Sequence, residues 1–364
     1  MRSLLTKSLY SATLALAVLV LLVAGCRVSY LDDCVPPVSN LRPVMEAQPG
    51  AWFCYRATVP AKAGSTVRVD FERYPGWLTA KGDSLFGTVP ADISDTSFTV
   101  IVSRNPMADT SQVRLLTNLP SVVVFGDTRS DHTTHRLIAG RIMEAEPVAI
   151  FHTGDLVEDG RKAELWAVFN EISAELLATG QFYPALGNHE WGSPLYFDNF
   201  ELPNNEQWYT IDRLQTRFIV LNSCGETGVE SEQYCWLEQE LASVPDSIRF
   251  VVAVFHHPPY STGDHGEDEK GLRDSFCRLF EKYGVDIVFN GHDHDYERSY
   301  CNGIYYVVSG GGGAPLYERT REDRRSLVWK QSYHFCRLSV IDDRMIVTVH
   351  DLDTKVIDRF ELPG

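Results

Sequence analysis

Five short strings along the chain carry side chains that bind cations or move protons. They are Gly126-Asp127-Thr128-Arg129, Gly154-Asp155-Leu156-Val157-Glu158, Gly187-Asn188-His189-Glu190, His256-His257-Pro258-Pro259-Tyr260 and Gly291-His292-Asp293-His294. Carboxylate, amide oxygen and imidazole together suit divalent or trivalent ions, and two imidazoles on one turn suit a pair of adjacent ions. A histidine must be neutral to ligate, so ion binding is expected to weaken in acid. Each string alone is ambiguous: Gly-Asp occurs in many turns, and Asn-His-Glu can cap a helix. The informative fact is that all five occur together.

Each string begins where an apolar run ends. The runs predict strands over 121–125, 148–152, 183–186, 218–222, 250–255 and 285–289. Helical spacing predicts helices over 135–145, 163–177, 232–244 and 272–283. Strand then helix, repeated, is the order of an α/β fold. In an open α/β sheet the loops at the carboxyl ends of the strands converge on one ligand site. The tail changes character, and runs at 304–309, 335–341, 345–349 and 356–360 are expected to form a strand-rich closing sheet.

The amino-terminal third reads differently. Arg2 and Lys7 accompany an apolar stretch over 14–23 that is short for a membrane span. Val23-Ala24-Gly25-Cys26 resembles the lipobox of bacterial lipoproteins, where small residues precede the cysteine that takes lipid. Residues 1–25 are therefore read as a lipoprotein signal peptide, with a plain signal peptide or an uncleaved anchor as alternatives. Lipid on Cys26 would hold an exported chain at the cell envelope, and Arg27 after it implies outer-membrane sorting, facing the periplasm, in a Gram-negative host. Residues 26–49 hold Pro36, Pro37, Pro43 and Pro49 and read as a tether. Over 50–118, short alternating runs between turn residues predict an all-β sandwich. Tyr74-Pro75-Gly76-Trp77-Leu78 and Leu85-Phe86-Gly87-Thr88-Val89-Pro90 resemble segments of Ig-like, cadherin-like modules, with Trp77 expected as the buried core aromatic.

A length of 364 residues suits two folded units plus extras. The formal charge is −16, and loss of residues 1–25 removes Arg2 and Lys7 and no acid, giving −18. Such an acidic chain is not expected to bind nucleic acid polymer through phosphate contacts, although a metal pair would still draw in a small phosphate ester. Eight cysteines in an exported chain suggest disulfides. With Cys26 lipidated, proximity favours pairing Cys34 with Cys54 and Cys224 with Cys235.

From about residue 120 the chain closely resembles the calcineurin-like metallophosphoesterases, on their purple acid phosphatase side, and residues 119–364 are assigned to such a domain. The resemblance rests on Gly154-Asp155, Gly187-Asn188-His189-Glu190, His256-His257-Pro258-Pro259-Tyr260 and the run from Gly291 to Arg298, in that order. It implies a four-layer αββα sandwich, two metal ions drawn from Fe, Mn and Zn, and hydrolysis of a phosphate ester. By position, Asp155 would bridge the ions. Asp127 and His294 would bind the first, while Asn188, His256 and His292 would complete the second. His189 would steady the phosphoryl oxygens or protonate the leaving alkoxide. His257 would meet the leaving group or hydrogen-bond behind a ligand. His265, in Ser261-Thr262-Gly263-Asp264-His265-Gly266, resembles a rim residue of related bacterial phosphoesterases. The glycines at 310–313 lack the Lys-Ser/Thr of a phosphate loop and are read as backbone passing beneath the site.

One departure stands out. Arg129 occupies the position where many relatives carry a histidine ligand, and Glu158 the position of the metal-binding tyrosine of purple phosphatases, so a charge-transfer colour is not expected. Arginine stays protonated and cannot ligate a metal. Two readings of Arg129 stay open: a bidentate contact to substrate phosphate, or an ion pair with Glu158 or Asp159. Glu158, His132, His135 or water could complete the first ion's shell. The function expected is a phosphomonoesterase of acid-phosphatase type, with a phosphodiesterase or nucleotidase as alternative. A surface-binding protein with a structural metal domain is the alternative of another class, and the presence of Asp155, Asn188 and His189 argues against it.

Overall fold

The computed structural model describes residues 27–28, 44–47, 52–58, 68–90, 95–104, 107–116, 119–265 and 268–364. The segment read as a signal peptide, Cys26, most of the segment read as a tether, Cys34 and the pair Gly266 and Glu267 lie outside the described residues. The chain divides into two compact units, Met1–Leu119 and Pro120–Gly364.

The first unit is all β among its described residues. Its strands are β1 (Arg27–Val28), β2 (Val44–Glu46), β3 (Trp52–Thr58), β4 (Arg68–Glu72), β5 (Thr79–Lys81), β6 (Ser84–Thr88), β7 (Thr96–Arg104) and β8 (Met107–Leu116). They form two four-stranded sheets, ordered β1-β3-β6-β5 and β2-β8-β7-β4. Phe53, Tyr55 and Leu85 from one sheet share a core with Phe98, Val100, Val113 and Leu115 from the other. The period of two that fills this core is what alternating strands produce. Trp77 is a correction to expectation: it is half-buried at the edge of that core, edge-on to Phe53, and the fully buried aromatics are Tyr55 and Phe98.

The second unit contains two sheets. Its strands are β9 (Val122–Phe125), β10 (Ala149–His152), β11 (Phe182–Pro184), β12 (Tyr209–Arg213), β13 (Thr216–Val220), β14 (Phe250–Val254), β15 (Ile287–Asn290), β16 (Tyr296–Cys301), β17 (Ile304–Ser309), β18 (Ser326–Lys330), β19 (His334–Ile341), β20 (Arg344–Asp351) and β21 (Val356–Pro363). One sheet has the order β11-β10-β9-β19-β20-β21, the other β12-β13-β14-β15-β17-β16-β18. β9, β10 and β11 are mutually parallel, as are β13, β14, β15 and β17. Strands such as Val122–Phe125 and Phe250–Val254 are buried on both faces, which is why they read as unbroken apolar runs.

Packing makes four layers. Val124 and Phe151 of the first sheet meet Phe218, Val252 and Phe289 of the second in a central core. Helices α1 (His132–Glu144), α2 (Ala163–Ile172), α3 (Ala174–Ala178) and α4 (Pro194–Asn199) lie on the first sheet's side, where Ile138, Trp166, Leu176 and Tyr196 cluster with Val123 and Ile150. On the second sheet, α5 (Glu232–Ala242) and α6 (Phe276–Tyr283) bring Leu237 and Phe280 against Ala253 and Val288.

Several expectations change. α1 begins before 135 because the Asp131 carboxylate accepts from the Thr133 and Thr134 amides and caps it there. The helix expected over 163–177 breaks at Ser173, whose hydroxyl is bonded to His135. The expected closing sheet does not exist as one body: β17 joins the second sheet between β15 and β16, while β19, β20 and β21 extend the first. The Cys224–Cys235 pairing is also corrected, since both thiols are free. Cys224 lies on the turn after β13, its thiol donating to the Leu186 carbonyl, whereas Cys235 is carried by α5.

Candidate metal centre

All five strings leave the carboxyl ends of parallel strands: Asp127 after β9, Asp155 after β10, Asn188 after β11, His256 after β14, and His292 and His294 after β15. Three of these residues adopt left-handed backbone, with φ of 59° at Asp127, 57° at Asp155 and 70° at His292. Such conformations cost energy in residues with a side chain and persist only where the surroundings enforce them. Two glycines let the loops close: a Cβ on Gly291 would lie 2.2 Å from Asp127 Oδ2, and one on Gly187 would lie 2.2 Å from Asp155 Oδ1.

The donor atoms face inward and face one another. His256 Nδ1 lies 3.0 Å from the Thr153 carbonyl, which makes it the protonated nitrogen and leaves a lone pair on Nε2. That Nε2 is 2.9 Å from Asn188 Oδ1, 3.3 Å from Asp155 Oδ1 and 3.2 Å from His292 Nδ1. His294 repeats the arrangement: Nδ1 donates to the Pro315 carbonyl at 2.8 Å, and Nε2 faces Asp127 Oδ1 at 3.6 Å. The His256, Asn188 and Asp155 acceptor atoms that face one another repel unless a cation lies among them. Ligand atoms of Asp127, Asp155 and His256 form one group within 4.8 Å, and those of His256, His257 and His292 form another.

Burial sharpens the demand. Asp127 and Asp155 are 0% and 1% exposed. Loss of solvent, then the charge of Asp155, pushes the Asp127 carboxyl well above its usual range. The imidazoles move the other way, because burial disfavours their charged form: His256 falls well below its usual value, His292 falls to about 3 and His294 to about 4. Neutral imidazoles beside buried carboxylates are what a metal needs from its ligands. His292 Nε2 is buried without a hydrogen-bond partner, with Glu269 Oε2 3.4 Å away.

The remaining predicted residues surround this cluster. His189 is 24% exposed; its Nδ1 donates to the Glu158 carbonyl at 2.6 Å, leaving Nε2 3.8 Å from Asp155 Oδ2. His257 is buried, with Nδ1 2.9 Å from the Ser223 hydroxyl and its ring against His256 and His292. His265 stacks on His292 at 3.8 Å and donates to Asp293. Burial would raise Asp293, but the bonds from His265 and Ser261 outweigh it and hold that carboxyl at about 2. Arg129 pairs with Glu158 at 2.8 Å and approaches Asp155 and His294 at 3.4 Å each. His132 is exposed, and His135 is committed to Ser173 and stacked on Phe169. The glycines at 310–313 do pass close to the site: Gly312 donates to the Gly126 carbonyl at 2.8 Å.

Glu190 is the residue that reading motifs did not reveal. It is fully buried, and its carboxylate accepts from the amides of Gly187 at 2.7 Å, Leu156 at 2.8 Å, Asp155 at 2.9 Å and Val157 at 3.4 Å. It thereby ties the loop after β10 to the loop after β11. Burial, then repulsion by Asp155, pushes it up to about 8. Only its place beside Asn188 and His189 hinted at involvement, because backbone partners are invisible in a string.

Residues 120–296 match the family described as calcineurin-like phosphoesterase. This part of the chain is similar to calcineurin-like phosphoesterases. The Fe(3+)-Zn(2+) purple acid phosphatase 12 of Arabidopsis thaliana is 34% identical over 200 residues, covering 46% of this chain and 42% of the relative. A phosphoenolpyruvate phosphatase of Allium cepa is 26% identical over 204 residues, covering 49% and 42%. The chain thus spans less than half the length of these curated relatives. A purple acid phosphatase from yellow lupin (Lupinus luteus) seeds shares the fold, with a TM-score of 0.62 at 20% identity over 87% of this chain and 73% of that one. The second unit offers donors for two metal ions, and the converging acceptors fit them.

Beside the centre lies a cavity of about 280 Å³. Arg129, Ser130 and Glu158 form its polar wall, and Leu156, Leu165 and Phe169 are among its apolar lining.

Proposed function

We propose that the chain hydrolyses small phosphate monoesters at a two-metal centre, in the manner of an acid phosphatase. The observation that carries this reading is the convergence of Asp155, Asn188 and His256 acceptors at one point with His189 at the rim. Asp127, Asp155 and His294 would hold one ion, and Asp155, Asn188, His256 and His292 the other. Bound ions would acidify water and neutralise phosphoryl oxygens. Iron and zinc, named for the Arabidopsis relative, are the first ions to test, followed by manganese.

The chain's own groups supply the rest. His189 is oriented by the Glu158 carbonyl, so its Nε2 is the atom available to carry a proton to a departing alkoxide. His189→Ala is expected to lower kcat by about a hundredfold or more while metal content stays at the wild-type level. Elemental analysis beside steady-state rates checks both halves, and loss of metal in the variant would make His189 a structural group instead. Asp293 and His265 steady the His292 ring from behind, and Ser223 does the same for His257.

The adjoining cavity suits the alcohol part of a compact, apolar ester. Phenyl and p-nitrophenyl phosphate are therefore expected to be turned over with higher kcat/KM than glycerol phosphate, and bis(p-nitrophenyl) phosphate more slowly than the monoester. A preference for the bis ester or for 5′-nucleotides would instead make this a phosphodiesterase or nucleotidase.

The same reading includes an exported chain held at the cell envelope by lipid on Cys26, outside the described residues. The two-sheet amino-terminal unit would be the Ig-like module between that anchor and the phosphoesterase domain. Membrane fractionation of the full chain and of Cys26→Ala checks the anchor; equal membrane association of both would remove it.

A further inference from the structure

We propose that Arg129 is a resident cation that competes with the first metal ion, so that the two ions load in order. The ion at Asn188, His256 and His292 would bind first. The ion at Asp127 and His294 would bind only as the guanidinium swings away toward Glu158. The inference rests on the two-metal reading of the centre and adds an occupancy rule to it.

The competition is over particular atoms. Arg129 Nε lies 3.4 Å from Asp155 Oδ2, and Nη2 lies 3.4 Å from His294 Nε2. Because His294 Nδ1 donates to the Pro315 carbonyl, Nε2 is the only lone pair on that ring. One lone pair accepts one partner, either an N–H of Arg129 or a metal ion. Asp155 Oδ2 faces the same choice. The donors of the other ion are met chiefly by one another: His256 Nε2 is directed at Asn188, Asp155 and His292.

Charge supports the same order. Arginine keeps its proton under all ordinary conditions. Although burial opposes the charge of Arg129, the bond to Glu158 and the nearness of Asp155, Glu158 and Asp127 outweigh it. The side chain is only 12% exposed, so its repulsion of an incoming cation is weakly screened.

The grip on Arg129 is uneven, which gives the movement a direction. Nη1 is held by Glu158 at 2.8 Å, and Glu158 is itself bonded by Ser130. At the metal end the distances are long, and the buried Nε makes no hydrogen bond although Asp155 Oδ2 lies 3.4 Å away. Glu158 is half-exposed, so it can follow the guanidinium outward. The arginine thus has a firm hinge outside the centre and a loose end inside it.

The test strips the full chain of metal and titrates it with Zn²⁺ in a calorimeter, with elemental analysis after dialysis at low free zinc. Wild type is expected to show two binding events, the second weaker by at least about tenfold. Arg129→Met keeps length and removes charge, and is expected to tighten the second event about tenfold while leaving the first unchanged. Glu158→Gln weakens the outer hold and is expected to act in the opposite direction, making the second event weaker still. His294→Ala should abolish the weaker event alone, which assigns it to the first ion. Equal affinities in wild type, an unchanged second event in Arg129→Met, or its loss there would overturn the proposal. If Arg129→Met does not fold, the sign of the Glu158→Gln change decides. Since the readout is binding, a chain that loads zinc in this order yet hydrolyses no ester would overturn the proposed function and leave this inference standing.

Discussion

Asp155→Ala is expected to empty both metal positions and lower kcat/KM by at least about a thousandfold. The two oxygens of this carboxylate look in different directions. Oδ1 faces His256 at 3.3 Å and accepts from the His189 amide at 3.0 Å, while Oδ2 faces Arg129 at 3.4 Å. An alanine would remove the ligand common to both positions. It would also leave Asp127 as the one carboxylate in the group that Asp127, Asp155 and His256 form. Asp155→Asn, with one oxygen kept, should retain part of the metal bound at Asn188 and His256. Elemental analysis and hydrolysis of p-nitrophenyl phosphate read the outcome. Retention of both ions by the alanine variant would show that Asp155 does not bridge.

Glu190→Ala should be the most destabilising substitution near the centre, although the residue is not among the expected ligands of the ions. Its carboxylate satisfies the amides of Gly187, Asp155, Leu156 and Val157 in a fully buried place. A buried amide without an acceptor costs about 1–3 kcal/mol, and partial relaxation makes a total of about 4 kcal/mol reasonable for the group. For a domain of this size that lowers Tm by roughly 10 °C. Metal affinity should fall as well, because the loop holding Asp155 is no longer tied to the one holding Asn188. Glu190→Gln should be milder in stability, since one oxygen remains to accept while its NH₂ meets amide donors. Thermal melts of the metal-free proteins separate this from simple loss of metal. An unchanged melting temperature in Glu190→Ala would show that water replaces the carboxylate.

The strands that carry the centre were legible because central parallel strands are apolar on both faces. Val122–Phe125, Ala149–His152 and Phe250–Val254 lie within a residue or two of the runs that announced them. The inward-facing donors were legible for a related reason: a polar string placed directly after a buried strand has few ways to avoid the sheet's carboxyl edge. Partnership across the fold was not. Nothing local says that the carboxylate of Glu190 would collect four amides, or that Glu269 would come within 3.4 Å of His292. The same holds for Arg129, whose two open readings could be weighed only once Glu158, Asp155 and His294 were seen to surround it. Sheet membership was equally hidden. β17 and β19 look alike as strings, yet one pairs with β15 and the other with β9. The Cys224–Cys235 pairing failed for a comparable reason, since closeness in sequence does not aim two side chains at each other.

The place of β19 beside β9 sets a timetable for the chain's birth. Every residue expected to hold metal has been synthesised by His294, but the sheet bearing Asp127 and Asp155 still lacks its antiparallel half. That half is His334–Ile341, Arg344–Asp351 and Val356–Pro363, laid one after another outward from β9. Until they are made, β9 is an uncovered edge, apolar on both faces and open to pairing with a neighbour. Pairing across more than two hundred residues is also slow, because a long loop must close before any contact rewards it. A nascent or threaded chain would therefore expose its acidic metal-binding loops, unassembled and protease-sensitive, throughout the synthesis of its final strands. The centre would be born last, at a single late step, and not ligand by ligand.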